Sequence, residues 1–126
     1  MTESRTSRRL GAFALLALVA VFAGVEISRS SVRPVHCGKD LEPTADTVVM
    51  LSASWCQYCA AARRYLVREK IEYCEYDVEQ DAEGRRRYAR MPVKVVPVLT
   101  LGKAKFIGFE QEEIEKALQA RGLRPL

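Results

Sequence analysis

A run of β-formers, "TVVMLSA" at residues 47–53, leads directly into two cysteines two residues apart, and helix formers follow. This stretch, continuing as "SWCQYCAAARRYL", constrains the chain more than any other. A short apolar run without polar alternation suits a strand buried on both faces. Ala60, Ala61, Ala62, Leu66 and Val67 favour a helix, predicted over residues 57–70. Its inner face is expected from Tyr65, Leu66 and Val67, with Arg63, Arg64, Arg68 and Lys70 in water. Cys56 then falls at the junction of strand and helix, with Cys59 one turn in.

That position bears on chemistry. A helix N-terminus presents unpaired N–H groups and the positive end of the helix dipole, so it favours an anion. A thiolate at Cys56 would be stabilised there and made available as a nucleophile. Cys59 is close enough to resolve a mixed disulfide by closing the C-x-x-C ring. Two other readings compete. Zinc wants four ligands, and the remaining His36, Cys37 and Cys74 supply one adjacent pair and one singleton, not a second C-x-x-C. A purely structural staple would close a ring too small to constrain much unfolded-state entropy.

The rest of the chain places this unit in a mixed α/β domain. "IEYCEYDV" (71–78) alternates as a second strand, and 81–90 forms a short charged helix that ends before Pro92. "VVPVLTL" (95–101) and "KFIGF" (105–109) read as two strands around the turn "GKAK" (102–105). "QEEIEKALQA" (111–120) is amphipathic, with Ile114, Ala117 and Leu118 inside, acidic residues in its first turn and Gly122 past its end. The order β-α-β-α-β-β-α predicts a parallel crossover followed by a hairpin and a closing helix, in one sheet with helices on both faces. Pro97 stands early in a β-run, where a missing N–H matters least; a plain trans edge proline is the default reading.

Ahead of this domain, residues 28–45 mix Ser, Pro, Gly and charge without periodicity and read as a linker. The domain is therefore drawn as 46–126, and 1–27 as a signal-anchor or signal peptide. The charge-free segment Leu10–Val25 predicts an N-terminal hydrophobic helix, headed by Arg5, Arg8 and Arg9. It is just short of the usual spanning length, so a membrane anchor through residues 10–25 and a cleaved leader both fit. Three basic residues lie on each side, which leaves the positive-inside count level. A short basic head before a long domain favours a domain outside the cytoplasm, on the periplasmic or extracellular side, or secreted after cleavage. Residues 24–126 hold 17 Lys+Arg against 15 Asp+Glu. That balance argues against nucleic acid as partner, and "GRRRYAR" (84–90) reads first as a solvated helix face, with a phosphate or acidic-partner patch as the alternative.

Taken together, "WCQYC", "EYDVEQD", "VVPVLTLGKAKFIGF" and the closing acidic helix resemble the glutaredoxin branch of the thioredoxin superfamily, over residues 46–121. The resemblance implies a thioredoxin-like fold with a four-stranded mixed sheet and three helices. It implies thiol–disulfide exchange by Cys56 and Cys59, a cis Pro97, and a substrate strand paired with the backbone of Val96. Gln57 replaces the proline of the usual Cys-Pro-Tyr-Cys motif, while Tyr58 is kept. Trp55 is thioredoxin-like. Gly108 and Phe109 look like redoxins that do not rely on glutathione. Trp55, Gln57, Tyr58, Val96, Pro97, Gly108 and Phe109 are therefore expected to contact substrate. Protein disulfides are the expected partners, together with an electron donor or acceptor that the sequence does not name. Glutathione stands as a co-substrate alternative in place of any bound cofactor, and a monomer without metal is expected. The rival readings are a binding or metal-handling module without turnover, and a glutathione-dependent enzyme facing the cytoplasm.

Cys37 and Cys74 lie outside that motif. In an exported chain an even cysteine count invites a second disulfide between them, tying the linker to an edge strand. A free, buried Cys74 and a relay thiol at Cys37 are the alternatives, and His36 is expected to be exposed.

Overall fold

A computed structural model describes residues 32–126. The apolar segment at 10–25, and its reading as an anchor or leader, lies outside the described residues. Among the described residues no helix is long and apolar enough to cross a membrane.

The elements follow the expected order: β1 (Val48–Ser52), α1 (Gln57–Arg68), β2 (Tyr73–Asp77), α2 (Ala82–Ala89), β3 (Val98–Leu101), β4 (Ala104–Ile107) and α3 (Gln111–Ala120). One sheet runs β2-β1-β3-β4. β1 pairs with β2 in parallel, Met50 opposite Glu75. β1 and β3 are antiparallel, and β3 and β4 form the hairpin around Gly102. Two predicted strands shorten: the pairing of β3 begins after Pro97, and β4 ends at Ile107.

The sheet's two faces carry different helices. Met50, Ser52 and Glu75 share one face by register, and α1 lies over it, with Arg63 reaching Glu75. α3 stands beside α1, since the Tyr65 hydroxyl donates to Glu115 at 2.7 Å. Val49, Leu51, Val98 and Thr100 alternate to the other face, under α2. Cys59, Ala62, Tyr65 and Leu66 of α1 and Ile114 and Leu118 of α3 are buried. Each large aliphatic side chain so removed from water contributes about 1.5–3 kcal/mol.

Two expectations for α1 are corrected. Val67 is exposed, because it sits one position past the stripe that Ala62, Tyr65 and Leu66 define. Arg63 does not face water: it lies on the Cys59 side, four residues on, and pairs with Glu75. The helix ends where Lys70 turns left-handed at φ 54°, and the Ile71 amide then donates to the Leu66 carbonyl. α2 sits close against the end of β2. A Cβ at Gly84 would stand 2.1 Å from the Asp77 carbonyl oxygen, so only glycine fits.

The segment read as a linker is ordered against the outer edge of β2. The Glu75 amide donates to the Val35 carbonyl at 2.7 Å, and the Cys37 amide to the Glu75 carbonyl at 3.1 Å. Cys37 and Cys74 form a disulfide with Cα atoms 4.9 Å apart. His36 is only partly exposed; its amide donates to the Asp40 carboxylate, which holds that carboxyl below its usual range. The segment thus covers backbone groups that an edge strand would otherwise leave open.

Candidate active site

Cys56 is the N-cap of α1. Its backbone is extended (φ −82°, ψ 107°), and its Sγ accepts the Cys59 amide at 3.1 Å. β1 delivers it there, since Ser52 ends the strand and a tight turn follows in which the Cys56 amide donates to the Ala53 carbonyl. The two sulfurs are bonded, with Cα atoms 5.2 Å apart. Cys56 keeps 7% of its surface and Cys59 none, so Cys56 is the less buried of the pair. An N–H aimed at Sγ from the start of a helix stabilises a thiolate when the bond opens.

The flanking residues make an exposed aromatic rim. Trp55 is 67% exposed and Tyr58 64%. The Trp55 indole donates to Glu79 at 2.9 Å, which fixes its orientation beside Cys56. Gln57 opens α1 and is exposed.

Across the site, the Val96–Pro97 bond is cis and Pro97 is fully buried. Val95 and Val96 are partly buried against the core cluster that contains Cys56 and Cys59. The Gly108 amide donates to the Pro97 carbonyl at 2.8 Å, with Gly108 at φ 89°. Gly108 therefore pins the end of β4 to the proline loop. Phe109 lies with its ring centroid 5.7 Å from that of Tyr65, so its first role is packing between α1 and α3.

Three features escaped the sequence reading. Lys94 donates to the carbonyls of Tyr88, Ala89 and Met91 at 2.6, 2.8 and 3.0 Å, fastening the proline loop to the end of α2. Glu79, which holds Trp55, is invisible until β2 is placed beside β1. Beneath Cys59, Glu75 is 3% exposed and accepts from Arg63 Nε (2.8 Å), Arg63 Nη2 (2.6 Å) and Ser52 Oγ (2.9 Å). The hydrogen bond to Glu75 raises the Arg63 guanidinium above its ordinary value. A charge in the middle of an alternating strand was the available signal.

No group of three His, Cys, Asp or Glu side chains among the described residues could hold a metal. The four cysteines stand as two separate bonded pairs.

Comparison with known proteins agrees with this geometry. The glutaredoxin family model matches residues 48–107, from β1 to the end of β4. A crystal structure of a single-substitution mutant of the thioredoxin-like protein BC3987 superposes with a TM-score of 0.50 at 23% identity, covering 61% of this chain and 96% of that one. No curated protein matches. Residues 48–107 thus resemble a glutaredoxin domain, and the described residues share the thioredoxin-like fold. The chain carries the fold of a glutaredoxin-type thiol oxidoreductase, with Cys56 and Cys59 at disulfide distance.

Proposed function

We propose that this chain exchanges disulfides with protein substrates, with Cys56 as the attacking and Cys59 as the resolving residue. The observation that carries the reading is the cap geometry: a sulfur at a helix start, accepting an N–H, with its more deeply buried partner one turn in.

In the reductive direction the Cys56 thiolate attacks one sulfur of a substrate disulfide. The bond between the substrate sulfurs breaks, and the leaving thiolate takes a proton from solvent. Cys59 then loses its proton and attacks Cys56 Sγ, releasing the second substrate thiolate. The substrate gains two electrons and the enzyme pair becomes the disulfide seen here. The reverse sequence oxidises a substrate dithiol. The exposed Trp55 and Tyr58 suit apolar residues around the target cysteine, and the backbone of Val96 offers edge-type hydrogen bonds to an extended substrate.

The domain acts outside the cytoplasm, tethered through residues 10–25 or released after their cleavage. The Cys37–Cys74 bond supports this reading, since such bridges persist in oxidising compartments. Protein disulfides are the substrates, and glutathione enters as a co-substrate at most. Saturation of the rate with glutathione, or a cytoplasmic signal from a C-terminal reporter, would replace this reading with a glutathione-dependent enzyme facing inward.

The test is a pair of variants of the full chain. Cys59→Ser should accumulate mixed disulfides with substrate proteins, while Cys56→Ser should form none and lose turnover. Turnover unchanged in Cys56→Ser would overturn the assignment.

A further inference from the structure

On the face of the sheet away from the Cys56 helix, α2 covers only part of the surface. Between α2, β1 and the β3–β4 hairpin lies a hollow of about 210 Å3. Its floor is mostly apolar, Val49, Leu51, Val98 and Met91, with Thr100 among them turning its hydroxyl to the Val49 carbonyl. The volume exceeds the roughly 150 Å3 that accepts a benzene ring in an apolar protein cavity.

The mouth is cationic. Arg87, Arg90 and Lys105 line it, with no carboxylate among the lining residues. Arg87 is already engaged, bonded to Glu83 at 2.8 Å and stacked on Tyr76 at 4.7 Å. Arg90 and Lys105 have no carboxylate partner among the described residues; the Lys105 ammonium makes a long contact of 4.0 Å to the Met91 sulfur. Both side chains are exposed, so both can turn toward a ligand. The basic run, read from sequence as a solvated face or an acidic-partner patch, thus has its last arginine at the mouth of this hollow.

We infer that this hollow is a binding site for a small amphipathic carboxylate, its apolar ring or branched chain on Val49, Leu51 and Val98 and its anion between Arg90 and Lys105. The pairing follows from complementarity: an apolar floor removes hydrocarbon from water, and two unpaired cations at its rim favour an anion. A neutral hydrocarbon would leave the cations unanswered, and a bare anion would leave the part of the floor still in water, chiefly Val49, uncovered. The site is distinct from the cysteine pair, because Cys56 and Cys59 do not line it. It abuts the substrate loop all the same, since Val98 directly follows Pro97. The inference does not depend on redox turnover.

The experiment titrates hydrocinnamate, an aromatic ring on a short carboxylate arm, into the oxidised full-length chain in neutral detergent. The readout is the methyl resonances of Leu51, Met91 and Val98. Saturable shifts confined to these residues are expected, weakening as salt rises. Arg90→Ala combined with Lys105→Ala should weaken binding about tenfold or more, the scale of losing charged hydrogen bonds. Arg90→Lys combined with Lys105→Arg should retain most of it. The neutral amide of the same acid should bind as poorly as the double alanine variant. Unchanged thermal unfolding of the double variant would confirm that its loss is local. No saturation, shifts centred elsewhere, or equal affinity for acid and amide would overturn the proposal.

Discussion

Glu75 shows what a single residue can hold. Its carboxylate is buried between Ser52 and Arg63, with every bond charge-assisted or from a hydroxyl. A buried pair gains little over apolar packing, but removing one partner strands the other. Arg63→Met should therefore cost about 3–5 kcal/mol, and Arg63→Met combined with Glu75→Met should recover much of that. Urea unfolding of the two variants checks this, and equal losses would contradict it. Tyr65 gives a pH signature. Burial, then its hydrogen bond to Glu115, pushes the phenol up to about 12. A folded-state value above the unfolded one means stability is fully present below pH about 10 and is lost as pH rises toward about 12. Tyr65→Phe should flatten that alkaline decline, as read by thermal unfolding against pH. At this scale the sequence was half legible. Cys56 and Cys59 stood out by spacing and position, whereas Pro97 by position alone read as a trans edge proline and its cis bond followed only from the family resemblance. Arg63 did not stand out, because its outward reading assumed that a charge on a helix seeks water, and its partner lies twelve residues on, in β2.

Element boundaries follow from capping and close approach. β1 and α1 were readable because apolar run, cap and helix formers adjoin. α2 depends on a feature that composition hides: Gly84 in a helix full of arginines looks like a defect, yet it is the point of contact with Asp77. Gly84→Ala gains intrinsic helix propensity of about 1 kcal/mol. It also forces a methyl into a backbone oxygen, so a net loss of about 1–3 kcal/mol is expected. Chemical denaturation would show it, and a stabilised variant would mean that α2 can shift without cost. The β3 and β4 expectations ran long because Val95, Val96, Gly108 and Phe109 share strand composition. In the structure they serve the proline loop and the entry to α3 instead.

At the scale of the molecule, the element order, the parallel crossover, the hairpin and the helices on both faces were legible from the alternation of strands and helices, but the pairing of β1 with β3 was not. Nor was the packing of residues 32–45, since it rests on a few backbone bonds to β2 and one disulfide rather than on any periodic pattern. Cys37–Cys74 links positions 37 residues apart. In the chain-entropy account such a closure contributes about 4 kcal/mol. Cys37→Ser combined with Cys74→Ser should lower the unfolding free energy by a comparable amount while leaving the Cys56–Cys59 pair able to cycle. Loss of cycling in that variant at temperatures where it stays folded would mean that the two bonds are functionally linked.

The central claim is that Cys56 and Cys59 form a redox couple while Cys37 and Cys74 are structural. The most direct measurement equilibrates the full chain in a series of glutathione redox buffers, quenches it by alkylation, and maps the four cysteines by mass. The account predicts that Cys56 and Cys59 titrate together as a two-electron couple between about −270 and −120 mV, while Cys37 and Cys74 stay bonded throughout. Failure of the Cys56–Cys59 pair to titrate anywhere in that range, with the protein folded, would contradict it.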